Sequence, residues 1–247
     1  MIKIENISIS NIDNAIRGLR NPMNSWDKSD SFICYKMSCE KCPYGEKIPE
    51  TNQAVLCRGE RAKDGKLWTL YPQFYEIGPN DLNLCRRMIK DGSSDSKFLR
   101  QIFVSMDITA PLYWWKEMDQ YKVGTTTDSC STMHRIHAKR FEREDFSTEH
   151  LENCEEPHWL CTMDNVISAL NVAREKYLET KDKKYWWQMI QLLPTSYNQK
   201  RTWTGSYANL RNIFHQRKSH KLDEWREFCK IIEGLPYGKE LITYEDK

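Results

Sequence analysis

Apolar and polar positions alternate at the start of the chain, where "MIKIENISI" reads as a strand. The spacing then turns helical in "NIDNAIRGLR", with an Asp or Asn as its cap. A second helix is punctuated in "GPNDLNLCRRMIKDG": Asn80 or Asp81 caps it, Leu84, Cys85, Met88 and Ile89 face inward, and Gly92 stops it. In "RQIFVSMDIT", Ile102, Val104, Met106 and Ile108 alternate with Phe103, Ser105 and Asp107, which predicts a strand with apolar character on both faces. Pro111 then stands where a first helical turn tolerates it, ahead of "PLYWWKEMDQYK".

The second half reads as mostly helical. Asp164 is the expected cap of "NVISALNVAREKYLETK", and "KKYWWQMIQLL" ends at Pro194. "SYANLRNIFHQR" carries Tyr207, Leu210, Ile213, Phe214 and Arg217 along one side, and "LDEWREFCKIIEGL" turns Leu222, Trp225, Cys229 and Ile232 inward. Residues 33–75 show no sustained period and are rich in Cys, Lys, Glu, Pro and Gly. They read as a Cys-rich subdomain inserted in one domain that spans residues 1–247. The fold class is α/β, and no repeat or low-complexity segment interrupts it.

A chain of 247 residues can bury a sizeable core. Its formal charge of +2 gives no global footprint for nucleic acid or acidic membranes, although "KRTW" and "HQRKSHK" could make local basic contacts. No apolar run is long enough to span a bilayer, and the start does not read as a signal peptide, so the expected address is the cytoplasm. Nine cysteines, an odd number without an export signal, argue against a disulfide scaffold. Cys34, Cys39, Cys42 and Cys57 follow C-x4-C-x2-C-x14-C, and the short pair followed by Pro and Gly can grip a tetrahedral ion. A structural zinc site, an iron–sulfur cluster and unligated thiols all remain open for them. Cys85 and Cys229 fall on apolar helix faces and read as core.

Three stretches, taken in order, resemble the flavin-dependent thymidylate synthases, and together they cover most of the chain. "AIRGLR" is similar to that family's N-terminal helix with two arginines three apart, here Arg17 and Arg20. The helix ending in "KDG", the strand in "FLRQIFVSMDITAP" and the following helix resemble the elements that precede the family signature RHRxxSxNExSxRY. "LLPTSYNQKRTWTGSYANLRNIFHQRKSH" resembles the family's Leu-Pro turn and its helix ending in Leu-Arg-x-x-x-His. The resemblance implies a central, mainly antiparallel sheet, a homotetramer with sites between subunits, and FAD as cofactor. It also implies NADPH and methylenetetrahydrofolate as co-reactants, with a one-carbon unit delivered to C5 of dUMP or a related pyrimidine deoxynucleotide.

Aligned on Ala110-Pro111 without gaps, the signature falls on residues 120–133. Gln120, Tyr121 and Lys122 stand at Arg-His-Arg, Thr125 at the first Ser, Thr127 at Asn, Asp128 at Glu and Cys130 at the later Ser. A one-residue shift matches Ser131 instead. Only Lys122 and Asp128 keep the charge type, and a Lys cannot copy the bidentate grip of Arg on phosphate. By resemblance, Asn209, Arg211, Arg217 and His220 complete the ligand set on the later helix, and Glu117 joins Gln120 on the turn before the signature. Glu117 and Gln120 read equally well as a solvated helix end, and Cys130 as an ordinary loop thiol, because this chemistry needs no enzyme nucleophile. A binding module that keeps the fold and holds a nucleotide without flavin turnover is the other reading.

Overall fold

The computed structural model describes residues 2–35, 73–152 and 158–245. Their strands are β1 (Lys3–Ser10), β2 (Phe32–Tyr35), β3 (Gln73–Glu76), β4 (Phe103–Pro111), β5 (Thr126–Ser129) and β6 (Asn198–Ser206). The helices are α1 (Ile12–Leu19), α2 (Pro79–Lys90), α3 (Leu112–Met118), α4 (Trp159–Thr180), α5 (Lys183–Leu192), α6 (Tyr207–Arg217) and α7 (Asp223–Glu233). The main sheet runs β1-β4-β6-β5, and β2 pairs with β3 in a separate antiparallel ribbon. Thr202 bonds Asp107 at 2.7 Å and Thr204 bonds Ser105 at 3.0 Å, a register only antiparallel neighbours can keep. The class is therefore α/β, with the antiparallel sheet that the resemblance implies.

The described residues form two compact units. One comprises Met1–Glu5, Asp107–Lys122 and Thr127–Trp203; the other comprises Asn6–Met106, Val123–Thr126 and Thr204–Lys247. In the first, α4 and α5 close on a core of Ile136, Phe141, Phe146, Ile167, Leu170 and Met189. Buried Asn171 satisfies both backbone groups of Phe141, at 3.0 and 2.9 Å. This amide spares the core an unpaired donor and acceptor, each of which would cost about 1–3 kcal/mol. The second unit packs α6 against α7, and α1 against the 3-10 turn Lys97–Arg100. Ile12, Ala15, Ile16 and Leu19 all bury the same stripe of α1, roughly 1.5–3 kcal/mol for each large aliphatic side chain.

β4 departs from its expected two-faced apolar character. Ile102, Val104, Met106, Ile108 and Ala110 are buried, whereas Phe103 is exposed and Ser105 and Asp107 are half-buried. The second face is polar because it pairs with Thr202, Thr204 and Lys200 of β6, Lys200 reaching Asp107 at 3.1 Å and Glu5 at 3.7 Å.

Two caps also differ from the sequence reading. α2 starts one residue before Asn80, and its amides at Asn80 and Asp81 donate to the Asp30 carboxylate at 2.8 and 3.1 Å. A Cβ on Gly78 would lie 2.3 Å from Asp30 Cγ, so a glycine is needed for that carboxylate to reach the helix end. α4 begins at Trp159, and Asp164 lies inside it, paired with Arg143 across 3.0 Å. An internal ion pair replaces the expected cap. Gly92 does close the stretch after α2, with φ of 108°.

Candidate functional site

β4 ends at Pro111 and hands the chain to α3, whose Trp114 and Trp115 are fully buried and meet edge to face at 4.9 Å. Trp115 Nε1 donates to the Gln199 carbonyl at 2.9 Å, which pins α3 to β6. Arg201 lies over the Trp115 ring at 4.3 Å, donates to Asp119 at 2.7 Å and to the Gln199 side chain at 2.9 Å. Gln199 passes the linkage on, its amide donating to the Cys130 carbonyl at 2.7 Å while the Cys130 amide reaches the Lys200 carbonyl at 3.0 Å. One cation and one amide thus fix both the exit of α3 and the far end of β5.

Of the residues expected at the signature, Lys122, Thr127, Asp128 and Cys130 are exposed, Glu117, Thr125 and Ser131 are half-buried, and Gln120 is exposed where α3 ends. β5 carries Thr127 and Asp128 at the outer edge of the sheet, with all four of its residues exposed. Among the described residues, the side chains of Gln120, Lys122, Thr127 and Asp128 make no hydrogen bond or ion pair. Ser131 Oγ accepts from the His134 amide at 2.9 Å, a local turn. The Cys130 thiol is free, which suits an ordinary strand-end residue.

In the second unit, Asn209 holds the middle of the same stretch. Its Nδ2 donates to the Val123 carbonyl at 2.7 Å, and its Oδ1 accepts from the Ser206 amide and hydroxyl at 3.0 and 2.7 Å. Ser206 and Asn209 form the capping box that starts α6, so a helix cap doubles as a loop tether. Gly124 sits beside it at φ of 73°, a left-handed turn residue.

Three of the expected cations, Arg20, Arg211 and Arg217, serve the fold. Arg20, at the end of α1, is buried and donates from Nε to Asp81 at 2.5 Å and from Nη1 to Ser25 at 3.3 and 3.4 Å. Arg211 gives Nη1 to the carbonyls of Ile242 and Tyr244, at 2.8 and 2.7 Å, and burial pulls its pKa below the usual guanidinium range. Arg217 stacks on Trp225 at 4.8 Å, and His220 accepts from the Leu222 amide at 3.2 Å. Arg17 is exposed on the last turn of α1.

Cys34 lies in β2, its backbone opposite Phe74, while Cys39, Cys42 and Cys57 lie outside the described residues, as does most of the proposed insertion. Cys85 and Cys229 are core thiols, as expected; burial pushes them up to about 12 and about 11, out of the reactive range.

Arg201 and Gln199 were not among the residues the sequence suggested. β6 points Gln199, Arg201, Trp203 and Gly205 to one side, and that side is the buried one. A period of two exists, but polar side chains occupy half of its inward positions, so no hydrophobic alternation betrays it. The Arg-x-Trp spacing on a strand is the one signal available in the sequence.

No protein-family model and no curated protein matches the sequence. The fold is similar to that of thymidylate synthase X (ThyX) from Helicobacter pylori with FAD and dUMP. The TM-score is 0.57 at 15% identity, over 98% of this chain and 96% of that one. A second structure, flavin-dependent thymidylate synthase ThyX from Helicobacter pylori complexed with FAD and dUMP, aligns at a TM-score of 0.60 and 16% identity, over 98% of this chain and 97% of that one. At such identity the likeness establishes the fold.

Proposed function

We propose that this chain is a divergent flavin-dependent thymidylate synthase-like enzyme. It binds a pyrimidine deoxynucleotide and delivers a one-carbon unit to C5 of dUMP or a related base. One observation carries the reading. In a chain with this fold, Lys122, Thr127 and Asp128 are exposed, and their side chains make no hydrogen bond or ion pair among the described residues. Lys122 would meet the phosphate as a point charge, Thr125 and Thr127 would donate to phosphate or sugar oxygens, and Asp128 would accept from a ring N–H. Asn209 holds Val123 and Gln199 holds Cys130, so that little loop entropy is lost on binding.

This donor set fits a mononucleotide well and a dinucleotide less well. FAD, if held here, would rest its diphosphate on Lys122 and hydroxyls, because Arg20, Arg211 and Arg217 are committed to internal partners. Bound FAD would supply the electrons for one-carbon transfer, drawing them from NADPH, with methylenetetrahydrofolate as carbon donor. The same commitment of arginines favours a second reading, a protein of this fold that holds a nucleotide without flavin turnover. The visible absorption spectrum of the purified protein, before and after addition of FAD, separates the two. A flavin band supports the enzyme, and a colourless protein that still binds dUMP supports the module.

A homotetramer fits the exposed Trp159, Val172, Trp187 and Leu192 of α4 and α5, and native mass measurement tests it. Zinc at Cys34, Cys39, Cys42 and Cys57 fits an excursion that leaves and re-enters one antiparallel ribbon, and metal analysis of the same sample tests it.

A further inference from the structure

Between the end of α1 and one face of α2 lies a cleft of about 550 Å³, lined by Arg20, Met23, Ser25, Lys28, Asn80, Asn83, Leu84 and Arg87. A volume of that order suits a small organic ligand. The α2 wall is a single stripe, since Asn80, Asn83, Leu84 and Arg87 recur at helical spacing. The other wall is the turn that follows α1, with Arg20 at its base.

The charges in this cleft are not balanced. Asp81 is fully buried and already takes Arg20 Nε at 2.5 Å, the Ser29 hydroxyl at 2.6 Å and the Ser31 hydroxyl at 2.5 Å. Asp30 is taken up by the α2 amides at 2.8 and 3.1 Å. Among the described residues Lys28 and Arg87 make no ion pair, and Arg20 Nη2 makes no hydrogen bond. Lys28 and Arg87 therefore line the cleft as cations without a carboxylate partner among the described residues, beside the closed Arg20–Asp81 pair. Two amides beside them can donate and accept, and Met23 and Leu84 give an apolar patch.

We propose that this cleft is a binding site for a phosphate ester of nucleotide size, with Arg87 and Lys28 as its anion-gripping residues and Asn80 and Asn83 reading the attached group. Arg20 closes the base of the cleft, its Nε held by Asp81 and its Nη1 by Ser25. None of these contacts involves residues 120–131, so the site stands whether or not that stretch binds a nucleotide.

The test uses the full chain carrying Lys122→Ala, which removes the proposed anchor of the other stretch. Inorganic phosphate, dUMP and deoxyuridine are titrated calorimetrically into this protein and into the same protein with Lys28→Ala and Arg87→Ala added. Both added changes are at exposed cations that make no ion pair among the described residues, so the fold is not at stake. The expected result is binding of phosphate and dUMP but not deoxyuridine, weakened about tenfold or more by the added pair. A dUMP affinity well above that for phosphate supports the proposal, and equal affinities overturn it, since nothing beyond the phosphate would then be read. Binding that the added pair leaves unchanged, or no binding of either phosphate compound, overturns the proposal.

Discussion

Arg20 and Lys122 illustrate opposite uses of a cation. Arg20 is buried in a closed network in which Asp81, Ser29, Ser31 and Ser25 satisfy one another. Lys122, like Thr127 and Asp128, is exposed and has no side-chain partner among the described residues. The first arrangement stabilises a fold and the second leaves donors for something else. The lesson is that a charged residue at the expected place in a family alignment is informative only once its partners are known. Arg211 and Arg217 repeat the point, one clamping tail carbonyls and the other lying on Trp225.

The largest effect is expected where the network is closed. Asp81→Leu should cost about 3–5 kcal/mol by urea unfolding, because it strands a buried guanidinium. Adding Arg20→Met should recover most of that loss. If Asp81→Leu costs under about 1 kcal/mol, the contrast with Lys122 collapses. The same carboxylate predicts a pH slope. Burial alone would raise the Asp81 pKa, but hydrogen bonds from Ser29, Ser31 and Arg20 outweigh it and hold it below the usual range. Its folded pKa is thus depressed, so its stabilisation is present above the unfolded value of about 3.9 and lost as pH falls through the folded one. Acid unfolding of the wild type should steepen below about pH 4, and Asp81→Asn should flatten that limb.

Next come the tethers. Asn209→Ala removes a cap and the link to Val123, about 1–2 kcal/mol, and should speed amide hydrogen exchange at residues 121–126. Unchanged exchange there would mean that the stretch is not held by α6. Arg201→Met should cost about 1–2 kcal/mol through loss of the Trp115 stacking and the Asp119 pair, with exchange at Cys130 rising.

The strongly periodic elements were legible in the sequence. α1, α2, α6 and α7 bury the apolar stripes their spacing predicts, and β4 buries Ile102 to Ala110 on one face. β6 was not legible as a strand, because its inward face carries Gln199 and Arg201, whose partners are a ring, a carboxylate and a carbonyl distant in sequence. β5 is not marked in the sequence for a related reason: none of its four residues is buried, so no burial pattern distinguishes it. The cap of α2 comes from Asp30, some fifty residues upstream, where no local rule would look. The stretch proposed to bind ligand was chosen by order and spacing alone, whereas the commitments of Arg20 and Arg211 are properties of contacts made far along the chain.

The smallest effect on stability is expected at the open region. Lys122→Ala and Asp128→Asn should each shift unfolding by no more than about 0.5 kcal/mol, since neither side chain has a partner among the described residues. Their effect on ligand binding should be far larger. Calorimetric titration of dUMP into the wild-type protein and into Lys122→Ala therefore tests the central claim most directly. The account predicts saturable binding that weakens about tenfold in the variant while its unfolding midpoint stays in place. No binding by the wild type, or equal binding by both proteins, would contradict it.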